Sequence, residues 1–161
     1  MTATKSTQAQ MAVVGGGLTG LIATAILANA GHDVHLVAPK VDSADGRTTA
    51  MLNPTIEMLD AAGLWEGIEE HSAPLKTMRL IDGSKRLLRA PITDFDANEI
   101  DLEAFGHNVL NWLMCQRVEA FLDERSNVTR HSAFVESADV GAESVTMDLD
   151  DGITLEAEQD P

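Results

Sequence analysis

The chain has 161 residues, 44% of them hydrophobic, which is enough for one domain with a core and short for two. Its 26 acidic residues against 11 basic ones give a net charge of -15, which argues against nucleic acid and anionic lipid as partners. Cys115 is the single cysteine, so an intrachain disulfide or a multi-cysteine metal site is excluded. The five histidines lack the spacing of metal ligands, and we expect no metal site.

Three glycines near the start of the chain form a Gly-x-Gly-x-x-Gly pattern. They follow an apolar segment, residues 10–14, that predicts a first strand. In this pattern Gly15 permits the tight turn out of the strand, and Gly17 lets the backbone approach a pyrophosphate. Gly20 lets the following helix pack closely on the strand. The pattern predicts a dinucleotide-binding loop.

The residues after this loop supply the rest of a strand–helix–strand unit. A helix is predicted over 18–30, and its first residues, Leu18 and Thr19, would direct backbone N–H groups and the positive end of the helix dipole at the phosphates. Gly31 fits the position just after a helix, and residues 34–37 predict a second strand. The fold class is therefore α/β, with a Rossmann-like start.

Residues 11–30 carry no charge and also imitate a transmembrane helix or a signal peptide. A membrane span would have to tolerate four glycines that a strand, a turn and a buried helix need at those positions. The single Lys5 is a poor basic start for a signal peptide. We therefore expect a cytoplasmic protein, either free or peripheral to a membrane.

The middle of the chain departs from a plain Rossmann order. A helix is predicted with Asn53 as its N-cap and Gly63 at its end. Residues 75–81 and 85–90, joined by a turn at 82–84, then predict an antiparallel hairpin. The hairpin interrupts the parallel sheet.

The last third of the chain predicts a second amphipathic helix over 109–124 and a short strand over 127–131. A β-meander follows and ends the chain. The predicted meander strands are 134–140, 144–149 and 153–157.

At the other end of the chain, the polar residues 1–8 are expected to be disordered.

A series of short motifs follows the glycine pattern: GHDV at 31–34, DGRTTAM at 45–51, LKTMR at 75–79 and GHNV at 106–109. With these motifs in this order, the chain resembles the ubiquinone-biosynthesis hydroxylase family. These proteins are FAD-dependent monooxygenases with the para-hydroxybenzoate hydroxylase fold. The resemblance covers nearly the whole chain and corresponds to the amino-terminal part of the family.

The resemblance implies a cofactor and a domain plan. FAD would lie along the first strand–helix–strand unit, with Arg47 reaching its flavin side, so that the cofactor-binding residues are Gly15, Gly17, Leu18, Thr19, Gly20 and Arg47. Residues 9–161 would form the amino-terminal part of the FAD-binding domain, with 75–105 as the start of a substrate-domain insertion. NAD(P)H would be the reductant, and the substrate a small aromatic compound or a polyprenyl phenol. Other subunits of a quinone-biosynthesis complex would be partners, and no catalytic residue is assigned.

Two departures from the family limit these expectations. The second predicted strand is followed by Ala38, Pro39 and Lys40, without the acid that usually accepts the ribose hydroxyls. Asp42 or Asp45 could replace it only if the loop folds back. The chain also lacks the family's later Asp-Gly and Gly-Asp motifs, so we expect a fragment that is incomplete relative to the family and not a competent monooxygenase alone.

Two other classes of function stay open. A NAD-dependent dehydrogenase domain is disfavoured, because the ribose-binding acid is missing and the hairpin breaks the parallel order. A non-catalytic nucleotide-binding module derived from the hydroxylase is the third reading.

Overall fold

A computed structural model describes residues 5–40 and 46–158 of the chain. The chain divides into two compact units: the first comprises residues 1–45 and 114–161, and the second comprises residues 46–113. No helix in the described ranges is long and apolar enough to cross a membrane. The strands are β1 (Lys5–Ala9), β2 (Met11–Val14), β3 (Val34–Val37), β4 (Thr48–Leu52), β5 (Ala73–Pro74), β6 (Thr77–Leu80), β7 (Thr93–Asp96), β8 (Gly106–Leu110), β9 (Val128–His131), β10 (Val135–Val140), β11 (Ser144–Leu149) and β12 (Ile153–Glu158); the α-helices are α1 (Leu18–Asn29), α2 (Asn53–Ala61) and α3 (Asn111–Asp123), and short 3-10 helices span Glu69–His71 and Ala97–Ile100.

The first unit contains the predicted strand–helix–strand start. Strands β2, β3 and β9 form a parallel sheet in the order β2-β3-β9, and α1 connects the first two. Gly31 occupies the predicted position just after the end of the helix, with φ +92°. The Gly31 N–H donates to Ala28 O at 3.1 Å and the His32 N–H to Leu27 O at 3.2 Å, which is the Schellman arrangement.

The second sheet of the first unit contains the predicted β-meander, and β1 joins it. Its order is β1-β12-β11-β10, and Gly152 makes the last turn with φ +83°. Strand β1 pairs with β12 in parallel, so the prediction that residues 1–8 are disordered is wrong for residues 5–8. Residues 1–4 lie outside the described ranges. The strand was not predicted because it is a polar strand at the edge of the sheet. Its Gln8 side chain donates to the Glu156 carboxylate at 2.7 Å, and its buried residue is Ala9.

The core of the first unit lies beside this sheet. Side chains from the two sheets pack together there, and Leu155 at its centre is fully buried. Burial of this kind contributes about 25 cal/mol for each Å² of apolar surface removed from water. The buried members are Ala9, Val37, Ala133, Met147, Leu149, Leu155 and Ala157.

The second unit has an antiparallel sheet in the order β4-β8-β5 and a separate two-stranded ribbon, β6-β7. The helix α2 ends at Gly63 as predicted, with φ +73°. Its predicted N-cap is wrong by one residue, because Leu52 is the N-cap and Asn53 is the first helical residue. The Asn53 side chain instead donates to Ala104 O at 2.9 Å.

The predicted antiparallel hairpin is present as the β6-β7 ribbon, but its second strand was misplaced. Thr93–Asp96 pairs with β6, and residues 85–90 belong to the connecting loop. The Asp82 carboxylate accepts the N–H of Ser84 at 2.8 Å and that of Ala90 at 3.1 Å. These bonds hold a long loop where the sequence suggested a tight turn.

Strand β8 was not predicted, and it displaces the start of the second helix. Residues 109 and 110 lie in β8, so α3 begins at Asn111 and not at 109. The predicted apolar face of the helix is confirmed at Met114, Val118 and Phe121. Gly106 allows this strand to lie close to β4, because a Cβ there would collide with the Met51 carbonyl oxygen.

Candidate dinucleotide-binding loop

The turn after β2 has the geometry that the glycine pattern predicts. Gly15 takes φ +118°, a conformation that side chains disfavour, and its N–H donates to Val37 O at 2.9 Å. That bond ties the loop to the end of β3. The predicted role of Gly15 in the tight turn is confirmed.

Gly20 lies where α1 comes closest to the loop. A Cβ at this position would collide with the Gly15 carbonyl oxygen and would lie 3.7 Å from Val13 Cγ1. A larger residue would push the helix away from β2. The predicted close packing at Gly20 is therefore confirmed.

Gly17 presents a different situation, because the protein itself does not require a glycine there. Gly17 is the exposed N-cap of α1 with an extended backbone, φ -74° and ψ 171°, and a Cβ would have no described heavy atom within 4 Å. The open space beside the loop fits the pyrophosphate that the pattern predicts. Contact with a cofactor stays a prediction.

The start of α1 offers hydrogen-bond donors toward this space. The Leu21 N–H donates to Gly17 O at 3.0 Å, and in an α-helix the N–H groups before this first bond have no acceptor within the helix. These donors are the N–H groups of Leu18, Thr19 and Gly20, and Thr19 is exposed. Such donors and the helix dipole favour an anion.

Sequence reasoning missed the role of Gly16. A Cβ there would lie 2.8 Å from Ala38 Cβ, so the loop and the end of β3 must both be small. The sequence signal was the run of three consecutive glycines, but the contact with Ala38 is visible only in the structure. Ala38 itself donates its N–H to His131 O at 3.0 Å, which continues the ladder at the position where dinucleotide-binding domains usually carry an acid. The two substitutes considered for that acid, residues 42 and 45, lie outside the described ranges.

A buried pair of histidines lies beneath this end of the sheet. His131 Nε2 is 3.0 Å from His35 Nδ1, and the side chains are 8% and 4% exposed. Burial lowers the pKa of His131, and the nearby His35 lowers it further, while Asp151 opposes them. This buried pair lies on the two strands, β3 and β9, that stand beside the loop.

Arg47, the remaining predicted site residue, belongs to the second unit. It is exposed and directly precedes β4, and its carbonyl oxygen accepts the Asn111 N–H at 3.0 Å. The structure thus brings Gly15, Gly17, Leu18, Thr19 and Gly20 together in the loop and the first turn of α1, in the first unit, while Arg47 belongs to the second unit. No group of three or more residues in the described ranges could hold a metal ion.

A sequence profile of FAD binding domains matches residues 8–156. The chain belongs to this FAD-binding domain family. A comparison with curated protein sequences found no match.

Solved structures of flavin-dependent monooxygenases share the fold. The p-nitrophenol 4-monooxygenase PnpA from Pseudomonas putida is 23% identical, with a TM-score of 0.71 over 96% of this chain and 40% of its own. The monooxygenase PieE, solved with FAD and substrate, is 16% identical, with a TM-score of 0.74 over 94% of this chain and 29% of its own. The anhydrotetracycline hydroxylase OxyS from Streptomyces rimosus is 18% identical, with a TM-score of 0.69 over 94% and 30%.

These likenesses establish the fold and the share of each structure that the chain spans. The Rossmann-like FAD-binding fold with its interrupting antiparallel strands is confirmed. The chain spans less than half the length of each of these three structures. The ubiquinone branch of the family is a finer assignment that these relatives do not distinguish.

Proposed function

We propose that this chain is the FAD-binding part of a FAD-dependent monooxygenase that hydroxylates an aromatic ring. The observation that carries the proposal is the loop at the start of α1. Gly17 is exposed there and faces open space, although no contact within the described protein requires a glycine. In a chain of the FAD-binding domain family, a cofactor phosphate is the group that fits this space.

Each predicted site residue has a task in this proposal. The N–H groups of Leu18, Thr19 and Gly20 bind the diphosphate of FAD, and Gly15 holds the loop in the conformation that presents them. Arg47 supplies a positive charge on the flavin side. When bound, FAD supplies the redox chemistry, with NAD(P)H as the source of electrons. The protein binds and orients the cofactor, and no residue of this chain is given a catalytic role.

The substrate class is proposed from one of the structural relatives. We propose a phenol, because PnpA is named for p-nitrophenol and the chain shares its fold. The motifs of the ubiquinone-biosynthesis hydroxylases make a polyprenyl phenol the finer proposal, with other subunits of a quinone-biosynthesis complex as partners. No residue of the described ranges is assigned to enclosing such a substrate.

The competing functions receive less support. A NAD-dependent dehydrogenase domain would need a dinucleotide site of the plain Rossmann type, whereas the family match is to FAD-binding domains. At the end of β3, Ala38 and Lys40 flank a proline where that class carries an acid. A non-catalytic nucleotide-binding module would contain the same loop, so only an experiment distinguishes it from the enzyme.

The test is an equilibrium titration of the purified chain with FAD and, separately, with NAD+. We expect saturable binding of FAD, followed by quenching of its fluorescence, and much weaker binding of NAD+. Tighter binding of NAD+ would favour the dehydrogenase reading. Binding of neither would contradict the proposal. Hydroxylation of a phenol by the whole protein then separates the enzyme from the non-catalytic module.

A further inference from the structure

Two hydrogen bonds tie the residues around Arg47 to the start of α3. The Asn111 N–H donates to Arg47 O at 3.0 Å, and the Thr49 hydroxyl donates to Asn111 Oδ1 at 2.6 Å. Thr49 and Asn111 are both half-buried. The two bonds lie beside the last pair of the β4-β8 ladder, Thr48 with Leu110.

The register explains how these bonds act on one face of the strand. Side chains alternate along a strand, so Arg47 and Thr49 share a face while Thr48 lies on the other. One step beyond the last ladder pair, Asn111 is opposite Arg47 and diagonal to Thr49. The two side chains of this diagonal pair meet in the 2.6 Å hydrogen bond. The hydroxyl–amide bond therefore joins the face that carries Arg47 to the first residue of α3.

We infer that Thr49 and Asn111 are positioning residues for Arg47. They hold the backbone from which the guanidinium group extends, so that its position does not depend on the free end of a strand. The end of a strand opens easily unless other contacts hold it. The inference rests on the proposed role of Arg47 in binding FAD, and it adds two residues that touch no cofactor themselves.

A double-mutant cycle on FAD affinity tests the inference. Thr49→Val keeps the shape of the side chain and removes the hydroxyl, and we expect it to raise the Kd for FAD about threefold to tenfold, the range for one lost hydrogen bond. With Arg47→Ala already present, the same change should alter the Kd by less than about twofold, because coupled residues are not additive. Thr49→Ser should restore the affinity. Thr48→Val, on the opposite face, is the matched control and should leave the Kd unchanged.

The outcomes separate this inference from the proposed function. Equal effects of Thr49→Val with and without Arg47 would overturn the positioning role, while the role of Arg47 in binding FAD would stand. If Arg47→Ala does not weaken FAD binding, the proposed role of Arg47 fails, and the inference fails with it.

A measurement without cofactor tests the tie directly. In the unliganded protein, the Asn111 amide should exchange its hydrogen faster in Thr49→Val than in Thr48→Val, as followed by NMR. Equal exchange in the two variants would overturn the inference, because the hydroxyl would then contribute nothing to holding Asn111 against Arg47.

Discussion

His131 Nε2 lies 3.0 Å from His35 Nδ1, and both rings are buried on one face of the sheet, on the neighbouring parallel strands β9 and β3. One nitrogen must carry a hydrogen and the other must accept it, so the pair is satisfied when the rings are neutral. Adding a proton to each ring would place two positive charges together in the core.

This pair predicts a loss of stability in mild acid. The pKa of His131 is lowered in the folded protein, first by burial and then by His35, while an unfolded histidine keeps a pKa of about 6.5. Below about pH 6.5, the unfolded state therefore binds more protons than the folded state. The stabilisation is fully present above this pH and is lost as the pH falls toward the lower pKa that His131 has in the folded protein. We expect the free energy of unfolding to fall by at most about 1.4 kcal/mol per pH unit from this group.

Denaturant unfolding at pH 5, 6, 7 and 8 measures this dependence. The variant His131→Gln removes the titrating group and retains polar atoms, so its unfolding free energy should vary less between pH 7 and 5. If the wild-type protein and the variant show the same dependence on pH, the histidine pair is not its source.

Gly20→Ala should destabilise the fold. Alanine normally favours a helix over glycine by about 1 kcal/mol, but here its methyl group would collide with the Gly15 carbonyl oxygen. Forcing extra volume into such a contact typically costs about 1–3 kcal/mol. Thermal unfolding checks this, with Gly17→Ala as a control because its methyl group meets no described atom. A Gly20→Ala protein as stable as the control would show that the helix and loop are less closely packed.

Local chemistry made the start of the fold predictable. Gly15 and Gly31 have backbone conformations that favour glycine, and each marks the end of an element. The β1 strand was missed because it is largely polar and its partner, β12, is far away in the sequence. Likewise, nothing local distinguishes residues 93–96 from 85–90 as the partner of β6. In the structure, residues 93–96 form the partner, and the bonds of Asp82 to Ser84 and Ala90 lie within the connecting loop.

The candidate site likewise has features that the sequence could predict and features that it could not. Gly15 and Gly20 could be predicted from the sequence, because the tight turn and the close packing of the helix each impose a local steric requirement. The surroundings of Arg47 could not, since they depend on Asn111, which lies far along the sequence and approaches through the unpredicted strand β8. Gly16 was also missed, because its constraint comes from Ala38, which follows β3 and is distant from Gly16 in the sequence.

Arg47→Ala should weaken FAD binding. If Arg47 bonds the flavin or a phosphate, its loss should cost about 1.5–3 kcal/mol of binding free energy, the range for a hydrogen bond to a charged group. The loss should be larger at low salt, where charges are screened less. Arg89→Ala makes the same change in net charge at an exposed loop position and is the control. Equal dissociation constants for the two variants would remove Arg47 from the site.

The affinity of Gly17→Val for FAD, compared with that of Gly83→Val, tests the central claim most directly. Both glycines have open space around a Cβ among the described atoms, so neither change should disturb the fold. A valine at position 17 would occupy the volume that the pyrophosphate needs, whereas a valine at position 83 lies in the loop after β6. We expect Gly83→Val to bind FAD like the parent chain and Gly17→Val to lose most of its affinity. A folded Gly17→Val protein that binds FAD as tightly as the parent would contradict the assignment of this loop as the cofactor site.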